Sequence, residues 1–268
     1  MPEAPEDQGA RAGGPAPVDS FVQRNVGETC GTPYWSQVGR LARYPIPKFR
    51  LGPPTAQGQL LLDVGCNWGR WSISAERAGY AAVGIDPSVE AVLAACRVAR
   101  QLGARVHYLV ADARFLPFKP RVFHLVFSYN VFHHMAKRDA LASIAEAGRV
   151  ARSGGMVAVQ MSNRFGARGL YNFLRTGGRE PKGREIRFWT PRQLHRSFSR
   201  LVGRPRFLAE GYLSLNPQPT DLDLLPVKWR AIVRVSGLLR RLSDLCPLLR
   251  WTADSLLVIV RKTGATPP

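Results

Sequence analysis

The residues with the clearest chemical potential lie in and around one glycine-containing turn. In the stretch LLLDVGCNWG, an apolar run ends at Asp63 and is followed by Gly65, Asn67 and Gly69. Glycine lets a backbone turn sharply and approach a ligand closely, and Asn tolerates the left-handed conformation better than most residues with a side chain. A second acid, Asp86, ends the next apolar run. The pattern predicts a nucleotide-type site with carboxylates at two strand ends.

The spacing within this turn argues against two common phosphate-binding loops. A dinucleotide loop needs glycines at G-x-G-x-x-G, and here Asn67 and Arg70 stand in two of those places. A Walker loop needs Gly-Lys-Ser/Thr, which does not follow the turn. The remaining ligand has an adenosine ribose and no phosphate chain. Asp86 can accept hydrogen bonds from both ribose hydroxyls, and Asp63 can hold a cationic or amino group.

A pair of histidines, His133 and His134, follows the fourth apolar run. Histidine titrates near neutral pH, so a histidine at this place can remove a proton from a hydroxyl group. We favour His134 as the base or as a group that orients the substrate, with His133 as the second candidate. The alternative is that one histidine packs on the bound ligand and the other caps the next helix.

Alternating strands and helices must position these residues. The predicted strands are residues 60–65, 81–86, 105–110, 122–128, 155–161, 205–213 and 255–262. The predicted helices include residues 69–78, 88–102, 137–151 and 189–198. Ser88 and Thr190 are expected to start helices, and the glycines of RSGGM to end one before the fifth strand. This order predicts an α/β fold with a mostly parallel sheet, whose ligands bind beyond the carboxyl ends of the strands.

These segments resemble the class I S-adenosylmethionine-dependent methyltransferases, in particular the small-molecule group that contains the ubiquinone and menaquinone methyltransferases. The resemblance rests on LLLDVGCNWG, AVGIDPS, VADARFLPF, FHLVFSYNVFHHM and ARSGGMVAVQMSN, which together span about residues 60–161. It implies a Rossmann-like, doubly wound, mostly parallel seven-stranded sheet with an antiparallel last strand. It also implies S-adenosylmethionine as the cofactor.

The resemblance further implies roles for single residues around that cofactor. The methionine end would be lined by Asp63, Gly65, Cys66, Asn67 and Gly69, with Asn67 in place of the family's usual middle glycine. The ribose would bind Asp86, and the adenine would lie at Asp112 and Ala113. Residues 128–130, which include Ser128 and Asn130, would close over the sulfonium.

The segments outside this match are expected to cover the site. Residues 1–20 are rich in Pro, Gly and Ala and predict a disordered tail. Within a single domain of residues 21–268, the expected parts are a helical lead-in at 21–50, an acceptor lid at 162–204 and a helical insertion at 216–252. Trp35 in the lead-in is interpreted either as part of a lid over the cofactor or as a packing aromatic.

The net charge of +19 is concentrated in one part of the chain. Residues 149–206 contain fourteen arginines and lysines against two glutamates, interleaved with aromatic residues. The cluster favours a small acceptor that bears a carboxylate or phosphate, or has a partly apolar or lipid-like body, over a merely solvated face. A basic, amphipathic stretch at 227–242 predicts either peripheral contact with an anionic membrane or packing on its own domain.

Together these observations predict that the protein transfers a methyl group from S-adenosylmethionine to a small acceptor. O-methylation is favoured because of the histidines. The alternatives are an RNA methyltransferase, a non-catalytic S-adenosylmethionine-binding regulator and a nicotinamide-dependent oxidoreductase. Nucleic acid is disfavoured because base-amine methyltransferases resemble one another in an Asn/Asp-Pro-Pro-aromatic motif where this chain has SYNVFHH. No metal site is predicted. Four scattered cysteines, expected to be reduced and mostly buried, and the lack of a membrane-length apolar run predict a cytoplasmic protein.

Overall fold

The computed structural model describes residues 17–179, 183, 186–213 and 218–263. Residues 1–16 of the predicted tail lie outside this part of the chain. The last two residues of that predicted tail, Asp19 and Ser20, instead begin the first helix. The Asp19 side chain caps it by accepting a hydrogen bond from the Phe21 amide at 2.9 Å.

Seven strands form one sheet. They are β1 (Leu60–Val64), β2 (Ala81–Asp86), β3 (Val106–Val110), β4 (Phe123–Ser128), β5 (Ala151–Ser162), β6 (Pro205–Gly211) and β7 (Ser255–Arg261). Their order is β3-β2-β1-β4-β5-β7-β6. Strand β7 runs antiparallel to the other six strands, which confirms the predicted mostly parallel sheet with an antiparallel last strand. The strand order reverses between β1 and β4, so ligands are expected outside the carboxyl ends of these two strands.

The helices cover both faces of this sheet. They are α1 (Ser20–Cys30), α2 (Arg70–Arg77), α3 (Val89–Gln101), α4 (Lys137–Val150), α5 (Ala167–Thr176), α6 (Pro191–Leu201) and α7 (Val227–Leu245). Two predicted caps are confirmed: Ser88 accepts from the Ala91 amide at the start of α3, and Thr190 forms a capping box with Gln193 in α6. None of the described helices combines the length and apolar character that a membrane crossing requires.

The glycines of RSGGM do not end α4, so that prediction is wrong. The helix ends at Val150, and β5 begins at once at Ala151, four residues earlier than expected. Gly154, with a φ of +73°, lies inside the strand, where the pairing of β5 with β4 shifts register. An irregularity of this kind needs residues outside the usual strand conformation, which accounts for the glycines.

The core lies on both sides of the sheet and fixes the glycine turn from two directions. Trp68 is buried against α1 and α3, and its indole donates to the Thr29 hydroxyl at 3.2 Å. Trp71 packs in the cluster on the other side, with its ring centroid 4.5 Å from that of Tyr129. Both tryptophans next to the turn are therefore structural anchors.

The expectation that the cysteines are mostly buried is only partly confirmed, and the expectation for α7 is not tested. All four cysteines are free thiols, but only Cys30 and Cys66 are buried, so the expectation of mostly buried cysteines was too broad. Helix α7 leaves Val235, Leu238 and Leu242 exposed. Its contact with an anionic membrane stays a prediction.

Candidate active site

The turn after β1 is left-handed at three positions. The φ angles of Gly65, Asn67 and Gly69 are +79°, +47° and +86°. The Asn67 side chain accepts a hydrogen bond from the Trp68 amide at 2.8 Å, which stabilises its conformation. Asn at the family's middle glycine position therefore keeps the backbone conformation that glycine would adopt.

Neighbouring side chains pack directly against the backbone of Gly65 and Gly69, where a Cβ atom would not fit. A Cβ on Gly65 would lie 2.4 Å from Val131, and one on Gly69 would lie 2.3 Å from the Tyr108 hydroxyl. The segment after β4 thus covers the turn after β1, and Tyr108 of β3 supports it from the other side. Sequence reasoning did not identify Tyr108 or Val131.

Asp86 ties the ends of the first two strands together. One carboxylate oxygen accepts from the Asn67 amide and the other from the Ser88 amide, each at 3.0 Å. The amides of Gly65 and Cys66 both donate to the Ile85 carbonyl at 2.8 Å. Asp86 thus fixes the turn after β1 against the end of β2, at the edge of the sheet where ligands are expected.

Asp63 is buried at the end of β1, with 1% of its surface exposed. It accepts a hydrogen bond from the Ser72 hydroxyl at 2.6 Å. Burial, with a smaller contribution from the negative charge of Asp86, raises the pKa of Asp63 to about 7. A cationic group next to Asp63 would therefore convert a half-protonated carboxyl group into a carboxylate.

The Asp112 carboxylate is already engaged within the protein. The Arg114 side chain donates to both of its oxygens, at 2.7 Å to one and 3.1 Å to the other, and holds the pKa of Asp112 below its usual range. Ala113 between them is buried. The contact of Asp112 and Ala113 with an adenine stays a prediction.

The two predicted residues at the end of β4, Ser128 and Asn130, have different environments. Ser128 is buried, and its hydroxyl donates to the Val64 carbonyl at 2.9 Å, so it joins β4 to β1. Asn130 has a φ of +63°, and its amide donates to the Gln160 side chain at 3.0 Å. Of the two, only Asn130 lines the cleft described next.

A cleft of about 200 Å³ opens beside this segment. Its lining joins α1 and the turn that follows, the ends of β4 and β5, the segment around α5, and the start of β7. It includes Gly27, Trp35, Asn130, His134, Gln160, Ser162, Arg168, Ile186, Phe188 and Ser255. A cavity of about 150 Å³ holds benzene, so this cleft has room for a group the size of one ring.

The histidines have distinct environments. His133 is buried, and burial lowers its pKa well below the ordinary value, so it is neutral. Its Nδ1 lies 3.2 Å from the Ser162 hydroxyl, while, within the part of the chain that the structure describes, its Nε2 has no hydrogen-bond partner. His134 lines the cleft, with its ring centroid 4.4 Å from that of His133. The geometry therefore brings His134, Trp35 and Asn130 together at one opening.

Much of the cleft was missed by sequence reasoning. Gln160 and Ser162 are polar positions two apart in the otherwise apolar second half of β5, so they lie on one face of the strand. That alternation in VAVQMSN was a usable signal. Ser255, at the start of β7, gave none, although its hydroxyl is buried without a hydrogen-bond partner among the described residues.

A buried polar network lies behind the glycine turn. Arg70, the residue after Gly69, forms an ion pair of 2.5 Å with Asp221, and the Tyr34 hydroxyl donates to the same carboxylate. Burial alone would lower the pKa of Arg70, but the neighbouring Cys30 and Asp221 raise it above its ordinary value. Arg70 therefore stays charged inside the protein, and its charge is neutralised by Asp221.

Comparison with known proteins places the site in a family. Residues 61–155 match the family described as "Methyltransferase domain". The ubiquinone biosynthesis O-methyltransferase of Rhizobium johnstonii is 30% identical over 166 residues, which cover 62% of this chain and 62% of that protein. The enzyme of the same name from Rhizobium etli is 28% identical over 208 residues, covering 70% and 78%. The chain thus spans about three fifths of the length of the first relative.

The fold is shared more widely than the sequence. The crystal structure of the [4+2]-cyclase SpnF superposes with a TM-score of 0.51 at 21% identity, covering 79% of this chain and 77% of that one. The matched segment 61–155 contains the glycine turn, both strand-end acids and the histidine pair. Residues 61–155 thus form a methyltransferase domain, within a chain that is similar to O-methyltransferases over about three fifths of its length.

Proposed function

We propose that the protein transfers a methyl group from S-adenosylmethionine to a hydroxyl oxygen of a small acceptor bound in the cleft. The observation that carries this proposal is the position of His134, which lines the cleft together with Trp35 and Asn130. A base at this opening, next to the cofactor turn, meets the requirement of O-methylation for proton removal. Both relatives described above are named as O-methyltransferases, which supports the same choice.

The residues around the turn fit this cofactor. Asp86 places a carboxylate at the end of β2, where the ribose-binding acid of such folds stands, and the raised pKa of Asp63 suits a carboxyl group that becomes charged beside an amino group. The cation next to the turn, Arg70, is buried and paired with Asp221, so it is not available to a diphosphate. We assign Asp63, Gly65, Cys66, Asn67 and Gly69 to the methionine end. Asp86, Asp112 and Ala113 are assigned to the adenosine end.

The protein's part in the reaction is alignment and proton removal. When bound, the cofactor supplies a methyl group already activated by a sulfonium. His134 accepts the proton of the acceptor hydroxyl. Its main chain is held in place, because its carbonyl accepts from the Arg187 guanidinium at 3.0 Å and its amide donates to the Val131 carbonyl at 2.9 Å. His133 is buried and neutral and packs against the ring of His134.

The cleft favours a small acceptor with a polar edge and an apolar body. Gln160, Ser162 and Ser255 supply polar groups on one side, and Trp35 and Phe188 supply aromatic ones. We propose that residues 162–204 act as the acceptor lid, since Arg168, Ile186 and Phe188 come from this segment. A cytoplasmic location is part of the proposal and is supported by the free thiols.

The test uses methyl-labelled S-adenosylmethionine and fractionated host extract. We expect label in a small-molecule fraction, and a rate about 10²–10⁴-fold lower for His134→Ala, as is typical for loss of a general base. The affinity for S-adenosylhomocysteine should change less than about twofold, because His134 is assigned to the acceptor. His195→Ala, at an exposed histidine of α6, is the matched control and should keep the wild-type rate.

Other distributions of label would decide against the proposal. Label in the RNA fraction would identify an RNA methyltransferase. Binding of S-adenosylhomocysteine without label in any fraction would identify a regulator that binds the cofactor without catalysis. An unchanged rate in His134→Ala would remove this residue from the mechanism.

A further inference from the structure

A second, smaller cavity shares Phe188 with the cleft. It lies between the start of α4, helix α5 and the segment that leads to Phe188, and its volume is about 40 Å³. Four of its lining residues are cationic, and we call this cavity the basic pocket. They are Lys137, Arg164, Arg179 and Arg187.

The cations of the basic pocket are held in defined positions. The Arg164 guanidinium lies 4.2 Å from the centre of the Phe173 ring. Arg187 is buried, and its guanidinium donates to the carbonyls of His134 and Gly183 at 3.0 and 2.9 Å. Lys137 is the first residue of α4, a helix of 14 residues whose N-terminus is capped by no side chain among the described residues. A helix N-terminus adds a favourable potential for anions to that of the side chains.

The segment that supplies Arg164, Arg179 and Arg187 contains more basic than acidic residues. Between Arg164 and Arg187 the sequence contains seven arginines and lysines and two glutamates. Even with both glutamates ionised, the net charge of the segment remains clearly positive. An anionic group entering the basic pocket is therefore favoured, whatever contacts the two glutamates make.

The size of the basic pocket limits the group that can enter it. A buried water needs about 10–15 Å³ measured in this way, so about 40 Å³ corresponds to roughly three waters. That space suits a carboxylate or a phosphate group, and it is too small for a ring. The basic pocket can thus hold only the anionic end of a larger molecule.

The basic pocket is directly connected to the predicted base. The Arg187 amide donates to the His133 carbonyl at 2.7 Å, and the Arg187 guanidinium donates to the His134 carbonyl. Phe188, the next residue, lines both cavities. An anionic group beside Arg187 therefore lies one side chain away from the cleft that contains His134.

We propose that the basic pocket is a subsite for an oxyanion, a carboxylate or phosphate group, carried by the same acceptor whose hydroxyl group binds beside His134. The inference rests on the proposed function, because it assigns the acceptor to the cleft. It narrows the substrate class to a hydroxylated small molecule that carries an oxyanion next to its ring-sized part.

Protection of arginines from phenylglyoxal tests the subsite without knowledge of the acceptor. The protein, saturated with S-adenosylhomocysteine, is modified in the presence of inorganic phosphate or acetate, and each arginine is quantified by mass spectrometry. We expect several-fold slower modification of Arg164 and Arg179. Arg175 is exposed on α5, between Arg164 and Arg179 in the sequence, but it does not line the basic pocket and should be unprotected. The anion that protects at the lower concentration identifies the oxyanion as phosphate or carboxylate.

Matched variants sharpen the test. In Arg164→Gln, the anion concentration that half-protects Arg179 should rise about tenfold, as expected for loss of a charged hydrogen-bond donor. Arg175→Gln removes the same charge from a residue of α5 that does not line the basic pocket, and it should shift this concentration less than about twofold. Equal shifts in the two variants, or equal protection of Arg175, would overturn the subsite in favour of a general surface potential.

The remaining outcomes separate this inference from the proposed function. Protection of all three arginines by tRNA, with steep salt dependence and no protection by phosphate or acetate, would overturn the subsite in favour of a polyanion surface. Loss of anion protection while S-adenosylhomocysteine still binds and label still enters small molecules would overturn the subsite alone. Failure of methyl transfer would instead count against the proposed function.

Discussion

On the cofactor side of the molecule, the candidate residues stand at strand ends and in the turns that follow them: Asp63 and Gly65 close β1, and Asp86 closes β2. On the proposed acceptor side, the cleft is formed by α1, β4, β5, the segment after α5 and β7, from Gly27 to Ser255. The first arrangement is local in the chain, and the second exists only after distant segments have packed together.

This difference explains which side can vary. A turn fixed by its own backbone, with Asp86 bonded to the amides of Asn67 and Ser88, keeps its geometry as long as a few adjacent residues are kept. A cleft built from five segments changes its shape when any one of them changes. Cofactor and acceptor sites on one fold can therefore differ independently, which is how one fold serves many substrates.

The largest expected effect comes from Asp221, whose carboxylate accepts from Arg70 after the glycine turn and from Tyr34 in the segment after α1. Asp221→Ala leaves the Arg70 guanidinium buried without its partner, so the free energy of unfolding should fall by about 3–5 kcal/mol. Urea denaturation followed by tryptophan fluorescence measures it. The control is Asp223→Ala, two positions after Asp221. It removes only an exposed ion pair with Arg43 and should change the free energy of unfolding little.

A double variant distinguishes the ion pair from general damage at residue 221. Arg70→Met combined with Asp221→Leu replaces a buried pair by apolar groups and should recover most of the lost stability. If the double variant is as unstable as Asp221→Ala, the ion pair is not the cause of the loss.

The second effect concerns the cofactor side alone. Asp86→Ala removes the acceptors assigned to the ribose hydroxyls, and the Kd for S-adenosylhomocysteine should rise about a hundredfold, equivalent to two hydrogen bonds of about 1–1.5 kcal/mol. Calorimetry below the unfolding temperature measures it. Glu90→Ala, at an exposed acid in the first turn of α3, serves as the control. An unchanged Kd in Asp86→Ala would contradict the cofactor assignment.

A third effect is a pH dependence of cofactor binding. The pKa of Asp63 is about 7 in the free protein, and a bound amino group would lower it, so binding releases a proton near neutral pH. The affinity for S-adenosylhomocysteine should then rise with pH, by about tenfold between pH 6 and pH 8. Calorimetry in buffers of different ionisation enthalpy detects the released proton.

The near-isosteric variant Asp63→Asn tests the origin of that dependence. It cannot titrate, so both the rise of affinity with pH and the released proton should disappear. The same dependence in Asp63→Asn would assign the titration to another group.

The smallest effect concerns the acceptor side. A Cβ on Gly27 would lie 2.8 Å from the Trp35 ring, so Gly27→Ala should displace this half-exposed indole. The rate of methyl transfer should fall a few-fold, while the affinity for S-adenosylhomocysteine should not change. Gly237→Ala, in α7 with open space around it, is the matched control for helix propensity and should not affect transfer. Equal rates in the two variants would remove Trp35 from the acceptor site.

The sequence predicted the sheet and the cofactor turn because both have local signals. Apolar runs of strand length, caps such as Ser88 and Thr190, and the left-handed Asn67 each follow from neighbouring residues. The failure at RSGGM has the same origin. Glycine serves equally in a helix stop and in an irregular strand, and only the pairing of β5 with β4 decides between them.

The acceptor side was mostly beyond prediction. That Phe188 lines both the cleft and the basic pocket depends on how the segment after α5 folds back over the end of β5. The partnership of Arg70 with Asp221 likewise has no local pattern. The histidine pair was found from its position after β4, but its division into a buried and a cleft-lining member required the packing.

The ion pair behind the glycine turn also has a consequence for biosynthesis. Arg70 and Asp221 are separated by 151 positions in the chain. A ribosome making this protein therefore completes β1 to β6 while the arginine still lacks its carboxylate. The nascent domain can complete this buried ion pair only after the segment between β6 and β7 has emerged and docked, which makes this docking a late event in folding.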